Sequence, residues 1–82
     1  MKKILVVDDD IDILYLIKYI LTSRGFDVHT HTSGLNLPEV INYYTPHLIL
    51  LDIRLPGKPG TQICKEIKRV FKVPIIFNFS LF

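Results

Sequence analysis

The residues best suited to chemistry in this sequence are three carboxylates at two places. Asp8 and Asp9 directly follow the apolar run Ile4-Leu5-Val6-Val7, and Asp52 directly follows Leu48-Ile49-Leu50-Leu51. An acidic residue at the end of such a run is held at the rim of a core. Brought together, three carboxylates cannot all ionise cheaply unless a cation sits among them. Hard oxygen donors with room for water suit Mg2+ best, with Mn2+ as the alternative. With a metal offsetting the charge, one carboxylate can attack phosphorus and carry the phosphoryl group as an aspartyl-phosphate.

The elements around them decide whether they meet. Both apolar runs are continuous rather than alternating, the pattern of strands buried on both faces. Residues 26–32 alternate and predict a strand at a sheet edge. Residues 73–77 predict a fourth strand, with Pro74 tolerated at its start. Helices are expected over residues 11–23, 37–44 and 61–71. Asp9 or Asp10 is placed to cap the first, and Asp12 favours its first turn. Asn36 is placed to cap the second, whose first turn accommodates Pro38. The first helix carries a stripe of Ile11, Leu14, Ile17 and Leu21, broadened by Ile13, Leu16 and Ile20, and so expects cover on more than one side. The third carries Ile63, Ile67, Val70 and Phe71. Strands alternating with helices predict a three-layer α/β fold: a parallel sheet with right-handed crossovers and helices on both faces. If the second strand lies outside the first, the strand order is 2-1-3-4. Asp8, Asp9 and Asp52 then converge at the carboxyl edge of the sheet, beside the switch point where such folds bind ligands.

Other features carry less. With 82 residues, 49% of them hydrophobic, the chain predicts one domain. A net charge of +2 makes no electrostatic case for nucleic acid. Lys65, Lys68, Arg69 and Lys72 form the solvated face of a helix. Cys64 is the single cysteine, so no internal disulfide is expected, and its apolar setting predicts a small core residue. His29 and His31 share one face of the edge strand and are expected to be exposed there rather than to form a metal pair. The apolar run after Met1-Lys2-Lys3 is too short for a signal or a membrane span. A soluble, cytoplasmic protein is expected.

The segments Lys3-Ile4-Leu5-Val6-Val7-Asp8-Asp9-Asp10 and Leu50-Leu51-Asp52-Ile53-Arg54-Leu55-Pro56-Gly57-Lys58-Pro59-Gly60 resemble the receiver domain of bacterial two-component response regulators. Their spacing and the elements between them match as well, so the resemblance runs from Lys3 to about Phe77. It implies a flavodoxin-like, CheY-like fold. It implies that Asp52 is the phosphoacceptor, that Asp9 binds Mg2+ directly and Asp8 through water, and that the backbone carbonyl of Arg54 is a further ligand. The Arg54 side chain would sit where the family modulates loss of the phosphoryl group. Pro56 and Gly60 match the loop after the phosphoacceptor, although ordinary turn chemistry explains both. The implied partner is a sensor histidine kinase or a phosphotransfer protein. The chain would be no enzyme beyond its own phosphorylation and dephosphorylation.

The resemblance also implies a partial receiver over residues 1–82, lacking the fifth strand, its lysine and the last two helices. The hydroxyl that ends the family's fourth strand and contacts the phosphoryl group falls at Phe79 by count. Ser80 comes one residue late and is a candidate for that contact only through a bulge or an early strand end. An open fourth strand bearing Ile75, Ile76, Phe77 and Phe79 predicts self-association along that edge. Two other functions follow from the residues. One is a phosphorylation-incompetent receiver that acts as a dimerising module. The other is a phosphatase of the haloacid-dehalogenase type, which the acidic run after Val7 resembles, with Asp8 as nucleophile. That fold needs a longer chain, and it leaves Asp52 without a role.

Overall fold

Ile4, Leu5, Val6 and Val7 are at most 4% exposed, as an uninterrupted apolar strand in the middle of a sheet must be. They form β1 (Lys3–Val7) in a computed structural model that describes residues 1–78. The chain continues through α1 (Ile11–Ser23), β2 (Asp27–His31), α2 (Leu37–Tyr44), β3 (Leu48–Asp52), α3 (Gly60–Val70) and β4 (Ile75–Asn78). The four strands make one parallel sheet in the expected order, β2-β1-β3-β4.

Alternation along the strands sorts the core into two halves. Leu5, Val7, Ile49 and Leu51 face α2 and α3, where Leu37, Ile41, Ile63 and Ile67 complete one buried cluster. Ile4 and Val6 face α1, and cluster with Leu14 and Val28. Cys64, expected in the core, is half-buried and packs against the margin of the first cluster, because it lies off the buried Ile63–Ile67 line of α3. The stripes on α1 and α3 are narrower than the sequence implies. Ile11 is 54% exposed and Val70 73% exposed. Both are terminal residues of their helices, where a periodic stripe no longer has core on both sides. Leu16 and Ile20, which broaden the α1 stripe, are exposed among the described residues.

The helix ends give one confirmation and one correction. Asp10, rather than Asp9, caps α1: its Oδ1 accepts the backbone N–H groups of Asp12 at 3.0 Å and Ile13 at 3.3 Å. Asn36 stands at the cap position of α2 but its side chain makes no capping bond. Its backbone is left-handed, at φ +60°, a conformation that asparagine tolerates and that does not present the side chain to the first turn. The other end of α2 is tied to β1, because Lys3 Nζ donates to the Tyr44 carbonyl at 3.0 Å and to Thr45 Oγ1 at 2.9 Å. On the edge strand β2, His29 stacks against Tyr44, and His31 Nε2 lies 2.9 Å from the Leu35 carbonyl. The two histidines have separate protein contacts.

The loop from β3 to α3 brings a helix start against a strand end. Gly57 supplies its positive φ of +87°. Gly60 is needed for a different reason. A Cβ there would lie 2.5 Å from the Asp52 carbonyl oxygen and 2.8 Å from Ile53 Cα, both backbone atoms that cannot move aside. Turn chemistry therefore accounts for Gly57 and not for Gly60, whose lack of a side chain lets α3 approach the end of β3. Gly60→Ala is expected to destabilise the chain by about 2 kcal/mol or more, read as a fall in the urea midpoint. An unchanged midpoint would mean that α3 is free to shift.

Candidate functional site

The strand registers put the acidic residues in one row. Val7 pairs with Leu51, so Asp8 and Asp52 follow as neighbours on β1 and β3. Asp52 pairs in turn with Asn78 at the end of β4. The backbone ladder runs on past the strands: Asp8 N–H donates to the His31 carbonyl at 3.1 Å, and Ile53 N–H to the Asn78 carbonyl at 3.3 Å. By alternation Asp8 shares its sheet face with Ile4 and Val6, and Asp52 shares its face with Leu48 and Leu50. Both carboxylates therefore lie on the α1 side, at the carboxyl edge. Asp8 is 2% and Asp52 1% exposed, while Asp9 is open to solvent. One carboxylate oxygen from each of the three lies within 4.8 Å of the others.

Backbone N–H groups orient the two buried carboxylates. Asp8 Oδ1 accepts from Asp10 N–H at 2.9 Å, and Asp52 Oδ1 accepts from Arg54 N–H at 3.0 Å. No salt bridge among the described residues reaches the trio, since Lys58 is paired with Glu66 at 2.8 Å. The Asp8 pKa is pushed from 3.8 up to about 6. Burial is the main cause, partly opposed by the Asp10 N–H, and the nearby Asp52 and Asp9 add to it. Three oxygen donors, two of them buried and none paired with a basic side chain, fit a divalent cation by charge and by donor type.

The structure thus brings together Asp8, Asp9 and Asp52, with Arg54 directly beyond. Ser80 and Phe79 lie outside the described residues. One contact was missed by the sequence reasoning: Asn78 Nδ2 donates to Asp8 Oδ2 at 3.1 Å. Counting from Pro74 directed attention to Phe79 and Ser80. The signal is register, which the structure supplies: the residue of β4 paired with Asp52 lies beside it.

Among known proteins, residues 4–79 match the family model described as the response regulator receiver domain. The chain is similar to the BeF3-activated N-terminal receiver domain of Klebsiella pneumoniae RstA, with 37% identity and a TM-score of 0.91 over 99% of this chain and 69% of that one. It is similar to the response regulator TrrA of Thermotoga maritima in complex with Mg2+-BeF, with 34% identity and a TM-score of 0.89 over 96% of this chain and 70% of that one. The N-terminal domain of a response regulator receiver protein from Methanoculleus marisnigri is 30% identical, with a TM-score of 0.88 over 94% of this chain and 65% of that one. No helix among the described residues is long and apolar enough to cross a membrane.

The raised pKa of Asp8 has a consequence for stability. Between pH 3.8 and about 6 the folded chain keeps a proton that the unfolded chain has released. Stability from this group is complete below that window and is lost as the pH rises through about 6. In EDTA, the urea midpoint is expected to fall between pH 5 and pH 7.5, and Asp8→Asn is expected to flatten that slope. Mg2+ is expected to restore the midpoint at the higher pH. An identical slope in wild type and Asp8→Asn would contradict the assignment.

Proposed function

The chain belongs to the response regulator receiver domain family of two-component systems, and from that membership we propose that it accepts a phosphoryl group on Asp52. The donor is the phosphohistidine of a sensor histidine kinase or a phosphotransfer protein, and the setting is the cytoplasm. The observation that carries this reading is the buried Asp52, 1% exposed, at the end of β3 and beside two further carboxylates. A divalent cation, Mg2+ or Mn2+, would be held by Asp8, Asp9, Asp52 and the backbone carbonyl of Arg54. When bound, it offsets the negative charge of the incoming phosphoryl group.

The chain's own residues do the rest by positioning. Arg54 N–H holds Asp52 Oδ1, which leaves Oδ2 as the attacking atom. A new P–O bond forms to Asp52 as the P–N bond to the donor imidazole breaks. The bonding pair stays on that ring nitrogen, and the proton already on the donor's other ring nitrogen lets it leave as neutral imidazole. The product is an acyl phosphate on Asp52. Water reverses it, returning the carboxylate and inorganic phosphate. On this reading the chain catalyses at most its own phosphorylation and dephosphorylation, and acts as a signalling module. The Mg2+-BeF complex described for the Thermotoga relative, 34% identical to this chain, supports the reading.

A second reading, association through β4, is favoured by one observation. Within the described residues β4 is the outer strand of the sheet, and its Ile76 is 53% exposed. An apolar edge strand is a template for pairing with another chain. Sedimentation is expected to reveal dimers that Ile76→Lys disperses; a monomer at every concentration would remove this reading.

The phosphoacceptor is tested by intact mass after incubation with acetyl phosphate and Mg2+. One added phosphate is expected on the wild type and none on Asp52→Asn. No adduct on a folded wild type, or an adduct that moves to Asp8, would overturn the proposal.

A further inference from the structure

Asp8 is held by donors from two distant parts of the chain. Its Oδ1 takes the N–H of Asp10, two residues on, and its Oδ2 takes the side chain of Asn78. The second contact joins strands that are not neighbours, since β3 lies between β1 and β4. Asn78 reaches across because it pairs with Asp52 and so stands in the same row as both carboxylates. With Asp8 ionised, as a metal ligand must be, the amide nitrogen of Asn78 faces it, since the carbonyl oxygen would set two acceptors against each other.

We propose that Asn78 is a positioning residue of the metal site, acting through Asp8. The inference rests on the reading of Asp8, Asp9 and Asp52 as a Mg2+ site and deepens it. A carboxylate bonded on one oxygen only can swing about its Cβ–Cγ bond. Bonded on both, it presents its remaining lone pairs in a fixed direction. Partners of this kind behind metal-binding groups typically govern affinity tenfold or more. Asn78 also gives β4 a part in the site: the register that pairs it with Asp52 orients Asp8 at the same time. A leucine at this position would fill similar space on the strand and supply no donor.

Titration calorimetry of the full chain with MgCl2 alone tests this through a double-mutant cycle. Asn78→Leu is expected to weaken Mg2+ binding by about tenfold in the wild type. In an Asp8→Asn background the same change is expected to cost less than about twofold, the limit for uncoupled sites. Equal costs in both backgrounds would overturn the proposal, as would wild-type affinity in Asn78→Leu. A measurement on the wild type avoids any folding defect of the variant. In its amide NMR spectrum, the Asn78 carboxamide pair is expected to shift with Mg2+ while those of Asn36 and Asn42 stay in place. A still Asn78 beside moving Asp8 and Asp52 amides would overturn the positioning role alone. No response to Mg2+ anywhere would overturn both this inference and the metal site beneath it.

Discussion

Mutual repulsion among three carboxylates, each with an oxygen within 4.8 Å of the other two, is the constraint on which the site depends. Two of them are nearly removed from water, and no salt bridge among the described residues relieves them. Burial, with the Asp52 and Asp9 charges adding to it, pushes the Asp8 pKa up to about 6, so part of that cost is carried as a proton. A divalent cation satisfies the same demand at neutral pH. The affinity of such a site for hard cations and its discomfort without one have the same electrostatic origin.

Holding like charges together requires a frame that does not relax. β1 has almost no exposed surface, and both faces of the sheet are packed by helices. That burial fixes the ends of β1 and β3 side by side, and backbone N–H groups beyond each end aim the carboxylates. Gly60 closes the loop by letting the start of α3 rest on the Asp52 backbone, where any side chain would collide. The apolar interior and the acidic rim are therefore coupled. The core supplies the rigidity, and the rim uses it to keep charges at separations they would otherwise leave.

Much of this was legible in the residues. Continuous apolar runs marked the central strands, and their terminal aspartates marked the edge where the site lies. The order of elements is enough to imply the sheet order. What stayed hidden depends on geometry that a linear pattern does not encode. Asn36 looks like a helix cap by type, yet its left-handed backbone removes it from that role. Gly60 reads as a turn residue, yet a backbone contact from eight positions earlier is what requires it. Asn78 was overlooked because a count from Pro74 pointed further along. Pairing across β3, which fixes its neighbour, became available only with the register. Helix stripes overran at Ile11 and Val70 for a similar reason, since periodicity carries no information about where a helix passes the end of its core.

The central claim is that this fold makes a single cation site from Asp8, Asp9 and Asp52. Its most direct test is paramagnetic broadening of the amide NMR spectrum by substoichiometric Mn2+. The account predicts that the backbone signals of Asp9, Asp10, Ile53, Arg54 and Asn78 vanish first. Signals near His29, His31 and Glu66 would persist at the same ratio. Broadening centred on the histidines or on Glu66, or spread evenly over the chain, would contradict it.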